Sequence, residues 1–191
     1  MQRIKLKSDA DLLAFKQCFE RRAGNHVSLE YLRQSDVYAF RAGRELVAGY
    51  VIHGNHQHRF FDLMQQIGWE HIETLPGNQN DFCEITCMWM EPEARDFSLR
   101  VWFYTACTLN TFAKRKRYII GGTKIAAVAQ MQRYCLPHTL FEGDTENGIG
   151  NGHWTIYYGT PLEFTKGYGK LFVRESLKLV RTREVRKSQL N

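Results

Sequence analysis

Hydrophobic residues recur along the chain with two different periods, and these periods predict alternating helices and strands. Residues three or four apart share one face of a helix, whereas alternate residues share one face of a strand. The helical period is found in residues 9–22, 60–67, 99–114 and 124–136. β-Branched and aromatic residues predict strands at 37–42, 45–52, 82–90, 118–122, 153–158 and 171–173.

The connections between these elements predict how the strands pair. Residues 37–42 and 45–52 are joined by only two residues, Gly43 and Arg44, which favours an antiparallel hairpin. Residues 82–90 carry one charged side chain among apolar and β-branched ones, which is typical of a buried central strand. Alternation of strand and helix after this point predicts parallel neighbours. We therefore expect an α/β fold with a mixed, mostly antiparallel central sheet and helices on both faces.

Length and composition are those of one ordinary globular domain. The sequence of 191 residues predicts a single domain spanning 1–191, and 43% hydrophobic residues with a net charge of +6 exclude a disordered chain. Residues 101–113 form an apolar stretch without charge, which is too short to cross a membrane. The first residues are not followed by the apolar core of a signal peptide, so a cytoplasmic location is expected.

Positive charge is concentrated near the end of the sequence. Residues 174–187 contain six basic side chains and two acidic ones, which defines a basic C-terminal tail from about residue 174. A second basic cluster, residues 114–117, suits the last turn of a helix, where cations interact with the carbonyl end. Because the basic residues do not cover the whole domain, nucleic acid is not the expected partner.

Cysteines and histidines do not predict a metal site. The five cysteines are odd in number and form no Cys-x-x-Cys pair, so we expect reduced and mostly buried thiols. His53, His56 and His58 lie close together, but no nearby carboxylate or cysteine completes a ligand set. A polar loop explains them, and no metal is expected.

Several segments together resemble the acyl-CoA N-acyltransferase superfamily, which has the GNAT fold. The sequence ELVAGYVI at 45–52 looks like that family's third strand, and CEITCMWM at 83–90 looks like its fourth. Residues 118–120 look like the fifth strand, and the helix that ends at Tyr134 looks like the fourth helix. The resemblance implies an enzyme that transfers an acyl group from a thioester donor to the amine of a small molecule.

One segment departs from the family's pattern. Members of the family hold the pyrophosphate of CoA with a glycine-rich loop before their third helix, whereas residues 91–98 contain no glycine and three acids against one arginine. The acyl-homoserine-lactone synthases and the N-acyl amino acid synthases also lack a strict glycine loop, and some take acyl groups from a carrier protein. The resemblance therefore implies acyl-CoA or an acyl-phosphopantetheine as co-substrate. An acidic acyl carrier protein is a suitable partner for a basic chain.

Acyl transfer to an amine requires a base and a donor that stabilises the oxyanion. Glu84 is the predicted base, because burial in an apolar strand makes a carboxylate more basic. The alternative is that Glu84 forms a structural pair with a lysine or arginine. Backbone N–H groups around Met88 and Met90 are the predicted oxyanion donors. Cys83 or Cys87 as an acyl-accepting nucleophile lacks an identifiable histidine partner.

The remaining predicted site residues follow from the resemblance and from charge. Tyr134 is the predicted acid for the leaving thiolate, although an aromatic residue that anchors the helix end explains it equally. Arg95 and Arg100 are predicted phosphate contacts. Ser98 is a further candidate for phosphate, and as a predicted helix cap it has a purely structural alternative. A different class of function stays open as well: a non-catalytic binding module on the same scaffold, a homodimer through exposed aromatic residues.

Overall fold

The computed structural model describes residues 1–55, 58–67, 75–94, 96–145 and 151–188, without the side chains of 67, 127, 175 and 177–188. The strands are β1 (Gln2–Leu6), β2 (Asp36–Ala42), β3 (Glu45–His53), β4 (Phe82–Met90), β5 (Tyr118–Thr123), β6 (His138–Thr145) and β7 (Gly152–Gly159). The helices are α1 (Asp9–Ala23), α2 (Leu29–Arg33), α3 (Arg59–Ile67), α4 (Phe97–Phe112), α5 (Ala126–Gln132) and α6 (Pro161–Ser188).

The seven strands form one sheet in the order β1-β2-β3-β4-β5-β7-β6. Every neighbouring pair is antiparallel except β4 and β5, which are parallel and are connected through α4. The mixed, mostly antiparallel sheet expected from the sequence is confirmed. The two strands are parallel because α4 returns the chain to the end of the sheet at which β4 began, so that β5 runs in the same direction.

Helices cover both faces of the sheet. On β3, Tyr50 and Ile52 pack with residues of α4, whereas Val51 packs with residues of α1 and α2. We call these sides the α4 face and the α1 face. The helix α3 also lies on the α1 face, because its apolar side chains pack on Phe82 and Ile120, which alternate with residues of the α4 face. The α1 face therefore holds two separate apolar clusters, one under α1 and α2 and one under α3.

Three sequence predictions of secondary structure were wrong or incomplete. Residues 171–173 were expected to form a strand and instead lie within α6, because a short apolar run alone does not distinguish a strand from a helix. The strand β6 was not predicted. The strand β1 and the short helix α2 were not predicted, since their polar residues hide the hydrophobic period. None of the helices in the described residues is long and apolar enough to cross a membrane.

An ion-pair cluster connects the start of β2 with β1 and with the segment after α4. Asp36 lies 2.6 Å from the Lys5 ammonium and 2.7 Å from that of Lys114. Partial burial opposes the ionisation of Asp36, but the hydrogen bonds from Lys114 and Lys5 outweigh it and lower its pKa. A lowered carboxylate pKa stabilises the folded protein above the ordinary value and stops doing so as the pH falls through the lowered one.

We therefore expect Asp36→Asn to be destabilising at pH 6 and to lose this effect on acidification. The difference in free energy of unfolding from wild type should stay below about 1 kcal/mol, because these groups are accessible to water. Urea unfolding between pH 6 and pH 3 measures it. A difference that grows as the pH falls would contradict this assignment.

Candidate active site

The parallel strands β4 and β5 separate soon after they begin. Their pairing joins Phe82 to Tyr118, Cys83 to Ile119 and Glu84 to Ile120, and the register continues no further. Beyond Glu84, β4 pairs only with β3 and the rest of β5 pairs only with β7. The two strands therefore enclose a V-shaped opening, and Glu84 lies at its apex.

A β-bulge lies on β4 at the edge of this opening. Thr86 is paired with Val51 and Trp89 with Gly49, so two residues of β4 lie opposite one residue of β3. Within the bulge, Cys87 has a φ of 50°, an uncommon backbone conformation for a residue with a side chain. A bulge interrupts the ladder of hydrogen bonds and re-aims nearby groups. Here it interrupts the ladder beside the opening, at Cys87 and Met88.

The bulge also brings two neighbouring side chains to the same face of the sheet. Thr86 Oγ1 and Cys87 Sγ both receive a hydrogen bond from one guanidinium nitrogen of Arg59, at 3.3 Å and 3.0 Å. The other nitrogen donates to the carbonyl oxygen of His26 at 2.6 Å. The guanidinium also lies over the ring of Tyr31, 5.5 Å from its centroid. Arg59 is buried, and it fills the α1 face behind the bulge.

Glu84 is completely buried and is held by the start of α3. Its Oε2 accepts the backbone N–H of Arg59 at 2.8 Å and lies 3.5 Å from Nδ1 of His58, which is also completely buried. Its Oε1 has no hydrogen-bond partner among the residues that the structure describes. The contacts of Glu84 are thus a backbone N–H and a histidine in place of the lysine or arginine side chain considered from the sequence, and one carboxylate oxygen is left over.

A tyrosine from α2 completes this cluster. Burial and the nearby charge of Glu84 both raise the pKa of Tyr31 well above its ordinary value, so its phenol stays protonated at neutral pH. The hydroxyl has no hydrogen-bond partner within the described part of the chain. We call Tyr31, His58, Arg59 and Glu84 the apex cluster. It lies between the two apolar clusters of the α1 face.

Sequence reasoning found Glu84 and missed the other three members of the apex cluster. Tyr31 lies in a helix too short to show a period, and His58 was considered only as part of a metal site. The described residues contain no group of three or more histidine, cysteine or acidic side chains that could hold a metal ion, and His56 lies outside them. The only sequence signal for a role of α3 was a pair of basic residues, His58 and Arg59, at the start of an apolar helix.

The segment between β4 and α4 differs in detail from the sequence prediction. The helix begins at Phe97 and its cap is Asp96, whose side chain accepts the N–H of Leu99 at 2.8 Å. Ser98 was expected to be the cap and is instead an exposed residue of the first turn. Upstream of the cap, Glu91 is neutralised by ion pairs with Arg21 and Arg22 of α1. Carboxylates therefore occupy the end of α4 where the family binds a pyrophosphate.

The structure describes some of the other residues that were predicted to contact the donor. Met88 and Met90 are half-buried on the α4 face, where they pack against its apolar cluster. Arg100 is half-buried in the second turn of α4. Arg95 lies outside the described residues. The contacts expected of all these residues, and of Ser98, stay predictions.

Tyr134 lies in the turn after α5, where it contacts the C-terminal helix. Its hydroxyl receives a hydrogen bond of 3.1 Å from Arg174, whose guanidinium also lies 5.7 Å from the centre of its ring. A Cβ atom at Gly167 would overlap the carbonyl oxygen of Tyr134, so only glycine allows this close approach. On its other side, α6 is bonded to α4 through Tyr168, whose hydroxyl lies 2.9 Å from Thr105 Oγ1. Thus α6 lies between α4 and the turn that follows α5.

The five cysteines are free, as expected from their number and spacing. Burial raises the pKa of Cys83 and of Cys135 to about 12. Burial also raises the pKa of Cys87, although Arg59 opposes the shift. At neutral pH these three thiols are therefore protonated and poor nucleophiles. The described structure therefore gives no support to Cys83 or Cys87 as an acyl-accepting nucleophile.

Comparison with solved structures shows the fold. One similar structure is an N-acyl amino acid synthase from uncultured soil microbes, with a TM-score of 0.60, 10% identity and coverage of 85% of this chain and 92% of that one. Another is a ribosomal-protein-alanine N-acetyltransferase from Brucella melitensis, with a TM-score of 0.53 at 12% identity over 84% and 99% of the two chains. A Bacillus subtilis acetyltransferase in complex with CoA has a TM-score of 0.52 at 14% identity over 83% and 97%.

The chain therefore has the GNAT fold of the N-acyltransferases, as the resemblance of its strands implied. At these identities the likeness establishes the fold and leaves the reaction to be argued from the site. No family model and no curated protein matches the sequence.

Proposed function

We propose that this protein is an acyltransferase that moves an acyl group from a thioester donor to an amine of a small molecule. One observation carries the proposal: β4 and β5 part directly after Glu84, and the β4 edge of the resulting opening contains a bulge. An extended pantetheine arm suits the space between two separated strands, because each strand edge offers unpaired backbone groups to its amides. We also propose that this reaction takes place in the cytoplasm.

The proposed reaction is a direct attack by the amine on the thioester carbonyl. The C–N bond forms, and the carbonyl oxygen becomes an oxyanion that a backbone N–H around Met88 to Met90 stabilises. Glu84 receives the proton of the attacking amine on its free Oε1, directly or through one water molecule. The C–S bond then breaks with its electron pair on sulfur, and Tyr134 gives the thiolate a proton after leaving its contact with Arg174.

The carboxylate at the start of α4 limits how the phosphate groups of the donor can bind. Asp96 satisfies the first turn of α4, so a pyrophosphate there would meet a carboxylate in place of free N–H groups. We propose that Arg100, together with Arg95, supplies the phosphate contact. A carrier protein needs less of this contact than CoA, because its phosphopantetheine has a single phosphate. This difference is the reason to test both donors.

The second candidate function is a binding module without catalysis. It is favoured by the complete burial of Glu84 and by the carboxylates at the start of α4. On this alternative the apex cluster is a structural network, and the opening holds no thioester. The two functions differ in whether any acyl thioester stabilises the folded protein.

Binding of a donor is expected to raise the melting temperature. A ligand that binds only the folded state at 100 times its dissociation constant adds about 2.7 kcal/mol, which corresponds to several degrees for a domain of this size. Differential scanning fluorimetry with acetyl-CoA, a longer acyl-CoA and an acylated carrier protein measures the shift, and desulfo-CoA serves as a matched control for the thioester. No shift with any donor at millimolar concentration would favour the binding module.

A further inference from the structure

We infer that His58 carries a proton on Nδ1 as well as on Nε2 and thereby keeps the buried Glu84 ionised. His58 is then a positioning residue for the proposed base, and this functional part of the inference rests on the proposed function. On this inference, the segment between β3 and β4 has a function, because it places the positively charged His58 at the apex of the opening.

The hydrogen bonds around His58 define which of its nitrogens bear protons. Its Nε2 lies 3.1 Å from the carbonyl oxygen of Gln79, and a carbonyl only accepts, so Nε2 carries a hydrogen. In a neutral imidazole, Nδ1 would then have only a lone pair. That lone pair would face Oε2 of Glu84 across 3.5 Å, and an ionised carboxylate also only accepts. Two acceptors in a dry site repel each other, and one additional proton between them removes the conflict.

The contacts of Glu84 favour the ionised form of its carboxylate. Its Oε2 already accepts the backbone N–H of Arg59 at 2.8 Å, a bond that is stronger to an anion. A buried carboxylate without a cation would be protonated, because burial penalises its charge. The proton therefore belongs on Nδ1 of His58. Among the described residues, His58 is the only side chain whose nitrogen lies within ion-pair distance of Glu84.

The other polar groups facing the pair leave this role to His58. From α3, the guanidinium of Arg59 is directed to Thr86, Cys87 and His26. Asp62, also in α3, adds a second negative charge nearby.

The remaining neighbours come from other elements. Tyr31 of α2 is a neutral phenol, and Cys87 of β4 is a protonated thiol. On β3, Nδ1 of His53 lies 2.9 Å from Ser35 Oγ, and its ring meets that of His58 edge to face. Glu84 and Asp62 carry two negative charges, and the Arg59 guanidinium carries one positive charge. One negative charge is therefore left for His58 to balance.

The consequence for the reaction is that the Glu84 carboxylate is buried away from water and is already ionised. With His58 charged, Glu84 stays ionised at neutral pH, and its unpartnered Oε1 can take the proton of the attacking amine. Without His58, Glu84 would hold a proton and would act as a base only at higher pH. The inference therefore predicts a protonation state at rest and a pH dependence of turnover.

The first test is NMR spectroscopy at pH 7.5 of wild-type protein whose histidines carry nitrogen-15. Through-bond correlation experiments assign the ring signals of His58. We expect both ring nitrogens of His58 to be protonated in the wild type and Nδ1 to lose its proton in Glu84→Gln. The surface pair of His138 with Glu163, 3.0 Å apart, is an internal control that should not respond to Glu84→Gln. An unprotonated Nδ1 in the wild type, or an unchanged His58 signal in Glu84→Gln, overturns the inference.

The second test is the pH–rate profile of His58→Gln. We expect turnover at pH 7 to fall at least tenfold and to recover towards the wild-type rate at higher pH, while the thermal shift caused by the donor is unchanged. His138→Gln is the matched control and should follow the wild-type profile. A uniform loss at all pH values would indicate a structural role and overturn the inference.

The two tests also separate this inference from the proposed function. Absence of thioester binding and turnover in the wild type would refute the acyltransferase. The NMR signal would still decide the protonation of His58.

Discussion

Replacing Glu84 with glutamine is expected to reduce acyl transfer by about 100-fold or more while the protein remains folded. The amide keeps an oxygen that can accept the N–H of Arg59, but it cannot take a proton from the attacking amine. Release of free thiol from an acyl thioester, in the presence of a panel of primary amines, measures the rate. Circular dichroism and the donor-induced thermal shift establish that folding and donor binding are retained.

The matched control for this experiment is Glu142→Gln. Glu142 lies in β6, is exposed and pairs with Arg133, far along the sheet from the opening. Its variant should transfer acyl groups at the wild-type rate. If Glu84→Gln is equally active, Glu84 has no part in the proton transfer, and the apex cluster is a structural network.

The second large effect is expected on stability, from Arg59→Met. Methionine retains much of the apolar volume but removes the cation that holds Thr86, Cys87 and the carbonyl of His26. Loss of this donor leaves buried acceptors without a partner, which costs about 1–3 kcal/mol for each acceptor left unsatisfied. Urea unfolding at pH 7, monitored by tryptophan fluorescence and by circular dichroism, measures this loss.

A surface arginine provides the comparison. Arg133 donates to both carboxylate oxygens of Glu142 in an exposed ion pair, so Arg133→Met should leave the free energy of unfolding close to that of wild type. A loss in Arg59→Met no greater than in Arg133→Met would mean that the guanidinium is not part of a buried network. The experiment thus examines the burial of the apex cluster without requiring a substrate.

The burial of Glu84 gives the proposed chemistry its main physical constraint. A carboxylate with no exposed surface needs compensation for the water it has lost, and the structure supplies it with the first backbone N–H of α3 and with an imidazole from the residue before that helix. On the proposed mechanism, the amine nitrogen would approach Oε1 from the side on which the strands have parted. A base at the apex of two separating strands can remain dry and still be reached from one side.

The hairpin and the central strand were predictable because their signals are local. Residues 45–52 and 82–90 are rich in β-branched and aromatic side chains, and the observed strands β3 and β4 agree with them within one residue at each end. The helix α1 was predictable for the same reason, since its three buried residues recur at helical spacing after a serine cap. Strand β1 was missed because it is an edge strand of five residues, with burial at one end only.

The candidate site was only half visible, because its members come from three parts of the fold: α2, β4 and the start of α3. A lone charged residue in an apolar strand identified Glu84, but nothing local connects it to Tyr31 or to His58, which lie in α2 and directly before α3. The bulge at Cys87 was also hidden, since a positive φ at a residue other than glycine has no sequence signature. Ser98 was mistaken for the cap of α4 because Asp96, two residues earlier, is an equally good cap.

The sequence by itself determined the class of fold and the position of one buried carboxylate, because hydrophobic period and local propensity act over neighbouring residues. Tertiary structure alone decided where β4 and β5 part, which side chains surround Glu84, and that α6 packs between α4 and the turn after α5. These features depend on contacts between residues distant in sequence. Their free energy comes from burial and electrostatics in the assembled core, which no local pattern encodes.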